Sequence, residues 1–442
     1  MKIIKLRRGY DIKLAGDSEK NIKQTSFPKK VALKPTDFQG FKPKLMVEKG
    51  DNVKIGTPLA FDKNNERIKI ISHVSGKVSE IIRGERRVIE AIVIEPDTKQ
   101  IQVEFDVKTL NKAAVTEVLI KTGLFLNLTQ RPFNKTANPA DLPRDIFISA
   151  MDTSPLAAED NIILKGNENS FQKGIDVLSH LTSGKVNLSF KPEDKAFAEF
   201  NNCEKHSFIG PHPAGNVGVQ IHHISPIKNA SDIVWSCSVQ SVILIGKLYK
   251  TGKLNSEIIV KVAGSSAENK SYYKTVIGAE ISSFIGERKE NSRIISGNVL
   301  TGNKIDQSGF IGFKDNLITI IPEAVEPEFL GWLNPGFTKR SWWGTYASAI
   351  LSPRKKHKAD TNIGGGERSL VINDIYEDVL PMDVLPAYLI KSILAEDVEE
   401  MEALGIYEVA EEDFALCEYI CPSKTEFQQI IRKGLNLIEK EG

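Results

Sequence analysis

The sequence predicts a multidomain α/β protein, and three observations carry that class. Up to about residue 100, short alternations of apolar and polar residues are broken by Gly, Pro and Asn turns. From 101 to about 252, strand-like runs alternate with stretches of helical periodicity, the order that builds a mainly parallel sheet. Toward the end of residues 331–442, apolar residues fall at helical spacing, while "GFTKRSWWGTYAS" and "NIGGGERS" read as ordered loops. The 442 residues suffice for several domains of ordinary size. With 41% hydrophobic and 26% charged residues, the chain is expected to fold and dissolve. The 58 Lys and Arg balance 57 Asp and Glu, so no basic excess points to nucleic acid. Four cysteines cannot staple a chain this long, and reduced thiols, as in the cytoplasm, are expected. The opening "MKIIKLRRGYDIKLAG" is basic but lacks the apolar stretch of a secretory signal. No run approaches the 18 apolar residues of a bilayer span, so membrane work is expected to pass through partners.

Residues 1–100 centre on "PKLMVEKGDNVKIGTPLAFDKNNERIKIISHVSGKVSEI". Alternation around Val47, Val53 and Ile55, with turns at Gly50-Asp51 and Gly56, predicts short strands. "HVSGKVSEIIRGERRVIEAIVIE" repeats the rhythm, and the pair resembles a biotinyl/lipoyl barrel of two sheets over a small core. Lys63 lies near a hairpin tip, but the carrier tripeptide is absent, so a structural barrel is expected. In residues 101–252, "RDIFISAMD" and "KVNLSF" read as strands around the helix "FQKGIDVLSHL". "NVGVQIHHIS" reads as a further strand, and "ASDIVWSCSVQSVILIGKLYKTG" as one long buried helix stopped by Gly252. That order implies a Rossmann-like domain. Residues 253–330 return to strands ("SEIIVKVAG", "SYYKTVI", "NLITII") with a helical turn near "AEISSFIG", the pattern of a small β-grasp module. Residues 331–442 form a helical domain: "DVLPAYLIKSILAEDVEEMEALG" ends at Gly405 and "KTEFQQIIRKGLNLIEKEG" closes the chain.

One motif carries chemistry. "EEDFALCEYICPSK" keeps the last step of a ferredoxin run, C-x2-C-x2-C-x3-C-P, at Cys417, Cys421 and Pro422. The two earlier thiolate positions hold Glu411 and Phe414. In the parent pattern the final cysteine serves a second cluster, which leaves Cys417 alone, and one thiolate cannot hold four irons.

The order of segments, with "GDNVKIGTPL", "RGERRVIEAIVIE", "QRPFNK", "SAMDTSPLAAED", "GPHPAGNVGVQIHHI", "VILIGKLYKTG", "GGGERS", "MDVLP" and "LCEYICPSK", resembles one family along the whole chain. That family is the A subunit of the bacterial Na⁺-translocating NADH:quinone oxidoreductase. It in turn resembles the flavin and iron–sulfur subunit of respiratory complex I and of the ferredoxin:NAD oxidoreductase. Those relatives hold FMN with a G-x-G-G-A-G-F loop, where side chains would collide with flavin and phosphate. Here the stretch is "KTGLFLNLTQRPFNK": beyond Gly123 stand Leu124, Phe125, Leu126 and Asn127. The relatives' acidic flavin-pocket motif has become "SAMDTSPL". "GNVG" at Gly215 and Gly218 is no dinucleotide fingerprint and is expected to precede a strand. The resemblance therefore implies a cofactor-less, peripheral component of the complex, at the cytoplasmic face of the inner membrane. It would dock on the membrane-embedded B subunit, in a complex that uses NADH, flavins, iron–sulfur and ubiquinone elsewhere and exports Na⁺. The competing readings are a working electron-transfer subunit of the ferredoxin:NAD oxidoreductase type, and a non-redox ligand-binding scaffold.

Several residues stand out as candidates. His206, His212, His222 and His223 cluster near Cys203. Neighbours on a strand point to opposite faces, and no C-x2-C accompanies them, so no metal site is expected. In "GPHPAG", Pro211 and Pro213 stiffen the loop around His212 near strand ends where α/β folds build ligand crevices, although the same residues would shape an ordinary turn. Arg131 beside Phe133 fits a quinone, charge to carbonyl and ring to ring. Equally, Arg131 could pair with Asp152 to close the vacated flavin pocket. Arg131, Phe133, Asp152 and His212 are thus the candidate quinone-proximal or partner-facing residues, and no catalytic or cofactor-binding residue is assigned. "RGERR" (83–87) reads as a solvated turn or a contact with a partner or anionic lipid. Trp342, Trp343 and Tyr346 read either as an interface anchor or as helical-domain core.

Overall fold

The computed structural model describes residues 2–287, 289–324 and 333–441. The expected boundary near 330 lies outside them. Two antiparallel sheets make up the first domain. One pairs Val31–Leu33, Ile89–Pro96, Gly76–Arg83 and Asn52–Val53; the other pairs Pro43–Leu45, Pro58–Asp62 and Asn65–Ile71. Their alternation sends Leu59, Ile68, Ile70, Val78, Ile92 and Ile94 into one shared core while Lys77, Glu80 and Glu90 face solvent. Lys63 is exposed in the turn after Asp62, whose carboxylate accepts the amides of Lys42 and Asn64, both at 3.0 Å.

Residues before 31 do not belong to those sheets, although the barrel was expected to start at residue 1. Lys2–Lys5 pairs parallel with Glu204–Ile209, and Ile22–Gln24 pairs parallel with Ser271–Val276. Both are single edge strands whose partners lie far away in the chain, which no local pattern discloses.

A third, seven-stranded sheet has the order Lys2–Lys5, Glu204–Ile209, Val186–Phe190, Ile146–Ala150, Val234–Ser238, Thr129–Arg131 and Lys135–Thr136. The first five run parallel and the last two antiparallel. Helices Glu168–Leu178 and Val239–Thr251 pack together on it so closely that a Cβ on Gly246 would lie 1.7 Å from the Ser170 carbonyl oxygen. Two expectations change here. The stretch expected as one long helix divides into the strand Val234–Ser238 and the helix Val239–Thr251. Ser238 makes the break: its hydroxyl accepts the Ser241 amide at 3.2 Å as an N-cap, while Gly252 closes the helix in the left-handed region at φ 68°. The run expected as the strand "NVGVQIHHIS" is the helix Val217–Ile224. Its alternating β-branched residues suggest period two, yet Gly218, Val219, Gln220 and Ile221 are all buried in succession. Tertiary packing overrides the weak strand preference.

A fourth, six-stranded sheet takes the order Asn303–Ile305, Ser292–Ser296, Leu317–Pro322, Glu257–Ala263, Ser271–Val276 and Ile22–Gln24. The C-terminal region is helical, with Pro386–Leu394, Val398–Ala403, Ala415–Ile420 and Phe427–Glu441 around a core of Leu389, Ile393, Met401, Phe427 and Leu435. Among the described residues no helix is long and apolar enough to cross a membrane.

Candidate functional site

The degenerate cysteine motif and the "QRPFNK" turn meet. Arg131 ends an inner strand of the α/β sheet and is almost completely buried. Its guanidinium reaches Glu412 Oε1 at 2.6 Å and Asp413 Oδ2 at 3.2 Å. Arg432, on the last helix, pairs with Glu411 and donates to the carbonyl oxygens of Phe133 (2.9 Å) and Asn134 (3.3 Å). The Asn134 amide adds a 3.0 Å bond to Glu411. Arg131 thus meets two carboxylates across the seam between the α/β sheet and the helical region, while Arg432 and Glu411, both on the helical side, bind the 133–134 turn across it. Asp152, one of the two partners considered for Arg131, is nearby but does not pair with it: it accepts the Ser154 amide at 2.7 Å. An acid two residues on from a strand end turns back on its own loop, whereas the triplet 411–413 enters from a helical turn aimed at the arginine.

Asp413 has no exposed side-chain surface and is fully engaged: Arg131, the Ala410 amide at 3.0 Å and Asn216 Nδ2 at 3.3 Å surround it. Burial opposes the charge on Arg131, but the Asp413 and Glu412 carboxylates outweigh it, so the guanidinium stays ionised more firmly than usual. Burial and the neighbouring acids raise Glu412 against the pull of Arg131; with 40% of its side chain open to solvent, that rise is moderated. Gly218 explains part of "GNVG". A Cβ there would lie 2.4 Å from Asp413 Oδ2 and 2.7 Å from Arg131 Nη1. "GNVG" therefore opens a helix after a strand, contrary to expectation, and the space beside its second glycine is filled by the chain's own ion pair.

The motif's cysteines turn inward. Cys417 and Cys421 are wholly buried; Cys421 Sγ lies 3.2 Å from the Tyr376 hydroxyl, and Cys417 Sγ points to the Tyr376 carbonyl at 3.8 Å. Burial pushes the Cys417 thiol well above its usual range, which favours the protonated form. Phe414, at an ancestral thiolate position, packs against Phe427 in the core. No group of three or more His, Cys, Asp or Glu among the described residues is placed to hold a metal. His222 and His223 share a helix instead of a strand: His222 Nδ1 meets Glu408 at 2.7 Å, and His223 Nε2 meets the Pro381 carbonyl at 2.8 Å.

His212 is buried between two segments. Its amide donates to Asp11 at 2.9 Å, and Nδ1 shares a 3.1 Å bond with the Thr153 hydroxyl. Burial lowers its pKa, with the Asp152, Asp11 and Asp413 charges opposing, so the ring is uncharged near neutrality. The structure therefore gathers Arg131, Asp152 and His212 around the start of the helix Val217–Ile224, while Phe133 faces Tyr407 edge-on at 6.0 Å. Directly after Gly123, Leu124–Asn127 forms a buried 3-10 turn. Phe125 packs edge-on against Trp235 at 5.5 Å, and Asn127 accepts the Ser241 hydroxyl at 3.0 Å. Gly123 lies against barrel Ile71, leaving 2.7 Å for a Cβ.

Sequence reading missed Glu412, Asp413, Asn216 and Arg432. The acidic triplet in a cysteine run was a visible signal, but nothing local linked it to Arg131.

Family models match three parts of the chain: "NqrA N-terminal barrel-sandwich hybrid domain" over residues 4–97, "NqrA second alpha/beta domain" over 110–254 and "NQRA C-terminal domain" over 259–307. The A subunit of the Na(+)-translocating NADH-quinone reductase of Alcanivorax borkumensis is 36% identical over 450 aligned positions, covering 100% of both chains. The A subunits of the same reductase from Yersinia pseudotuberculosis and Neisseria meningitidis serogroup B are 38% and 37% identical, again over 100% of both chains. Among solved structures, an air-oxidized NAD+-reducing [NiFe]-hydrogenase matches 73% of this chain and 63% of its own at 11% identity and a TM-score of 0.39, too loose a likeness to carry a functional reading. End-to-end identity well above 30%, with three matched domain models in order, settles the family: the chain belongs to the NqrA family, the A subunits of the Na(+)-translocating NADH-quinone reductase.

Proposed function

We propose that this chain is a peripheral component of a Na⁺-translocating NADH:ubiquinone reductase, placed at the cytoplasmic face of the membrane. It docks on the membrane-embedded B subunit. It carries no flavin, NADH site or iron–sulfur cluster of its own. The relatives' printed name supports the complex. The observation that carries the cofactor-less role is the chemistry now filling the ancestral positions. Leu124 and Phe125 occupy core where an isoalloxazine would need glycine, and the cluster positions hold an ion-paired Glu411, a core Phe414 and a buried, protonated Cys417. These residues do not fit either group. The parallel strands 204–209, 186–190, 146–150 and 234–238 stand in the order 3-2-1-4 by chain position, which favours a Rossmann-like ancestry. The six-stranded sheet we read as a β-grasp module. Arg131, Phe133, Asp152 and His212 are assigned to a quinone-proximal or partner-facing region, shaped from beneath because Arg131 and His212 are buried.

The test is isolation of the tagged chain from detergent-solubilised membranes. It should elute with integral membrane subunits. Purified alone it should show no flavin absorbance, no iron or acid-labile sulfide and no NADH oxidation. Stoichiometric FMN or iron on the isolated chain overturns the reading.

A further inference from the structure

We propose that residues 337–358 contact an anionic lipid surface directly, in addition to any protein docking. This goes beyond the functional reading above, which needs only a protein partner. The stretch contains six bases, Lys339, Arg340, Arg354, Lys355, Lys356 and Lys358, and no acid, in a chain whose net charge is only +1. Within it stand Phe337 (62% exposed), Trp343 (55%), Ile350 (82%) and Leu351 (69%). Large apolar side chains left this open, on one stretch, mark an interaction surface rather than ordinary scatter.

The segment is held so that those residues stay outside. Arg340 donates to the carbonyl oxygens of Ser348 (2.6 Å) and Ser352, folding the loop around its own guanidinium. Trp342 turns inward and meets Tyr10 edge-on at 5.0 Å, while its neighbour Trp343 is left open. At the far end, the His357 amide donates to the Lys13 carbonyl and its own carbonyl accepts the Ala15 amide at 2.8 Å. The framing thus consumes Arg340 and Trp342. Arg354, Lys355 and Lys358 remain solvent-exposed beside the Ile350–Leu351 helical turn. Lys356 keeps a long 3.6 Å contact with Asp17.

Apolar side chains bordered by bases, with a Trp among them, are the composition of a surface that inserts shallowly below phosphates. A cluster of bases gains from the negative potential of phosphatidylglycerol-type headgroups, and that gain is screened by salt. A protein partner would need acidic groups matched in register to Arg354, Lys355 and Lys358, whereas an anionic lipid surface answers these open bases without a matched register. The apolar and basic parts are both required, since a single weak signal anchors poorly.

The test is co-sedimentation of the full chain with vesicles of phosphatidylglycerol and phosphatidylethanolamine, against vesicles of phosphatidylcholine. Binding to the anionic vesicles at 0.1 M salt should fall at least tenfold at about 0.5 M salt, following charge screening. Ile350→Asp with Leu351→Asp, and separately Arg354→Glu, Lys355→Glu and Lys358→Glu, should each cost about tenfold or more in vesicle affinity. All five positions are exposed, so the melting temperature should not move. No binding to anionic vesicles, or binding indifferent to both variant sets, overturns the proposal and leaves the stretch to a protein partner. Co-elution with membrane subunits in detergent, where no bilayer remains, is scored apart, so the two readings fail separately.

Discussion

Residues 123–127 and residues 411–421 are both filled by the chain's own side chains, but by opposite means. Residues 123–127 are closed with hydrocarbon: Leu124, Phe125 and Leu126 join the main core beneath the helix Val239–Thr251 and beside the barrel. Residues 411–421 are closed with charge, through Arg131 and Arg432 against Glu411, Glu412 and Asp413. An apolar plug costs nothing to desolvate and tolerates imperfect partners. An ionic plug is directional, is costly to break by halves, and binds two domains in one orientation. The first seals a cavity; the second is a clamp.

Breaking the clamp should give the largest effect. Arg131→Met leaves Asp413 buried without its counter-ion and should cost about 3–5 kcal/mol in urea unfolding, with loss of cooperativity between the α/β and helical parts. Opening the hydrocarbon plug with Leu126→Ala should cost about 2–4 kcal/mol, with no separation of domains and no gain of flavin binding in a titration. If both variants uncoupled the domains equally, the distinction between seal and clamp would fall.

A third variant sharpens the contrast by removing an ionisable group from an apolar setting. His73, in the barrel, is buried beside Phe313 with no partner on Nδ1, and burial alone lowers its pKa to about 4. The unfolded chain takes up that proton near pH 6.5 and the folded chain only near 4. This contribution to stability is therefore complete above pH 6.5 and lost as pH falls through that window, by up to about 3 kcal/mol. His73→Leu should flatten this part of the pH–stability curve by comparison with wild type; parallel curves would show that the ring is not excluded from water. The smallest effect belongs to the cysteines. Cys417→Ala and Cys421→Ala should cost about 1 kcal/mol each and leave quinone reduction by the complex unchanged, as measured by NADH-driven turnover.

The elements with strong local signals were legible: the barrel strands around Val53 and Val78, the strands at 146–150 and 186–190, the helix at 168–178 and the terminal amphipathic helix. What failed had conflicting local cues. "GNVGVQIHHI" alternates like a strand but folds as a helix because its glycine lets it approach a buried ion pair supplied by the far end of the chain. "DIVWSCSVQ" has no Gly or Pro to mark the change from strand to helix, and a single serine cap makes it. The candidate site was half legible. The lost thiolates and missing glycines could be counted, but the partner of Arg131 lies 282 residues away, and only the fold chooses between Asp152 and Asp413.

The lacing of the first two dozen residues has its own consequence. Lys2–Lys5 completes the edge of one sheet and Ile22–Gln24 the edge of another, both built mostly from residues translated much later. On the ribosome, the leading segment must wait as an unpaired strand until residue 209 has emerged, and its follower until residue 276. The barrel between them can close meanwhile. The two leading strands therefore join their sheets only after the barrel that follows them in the chain can close.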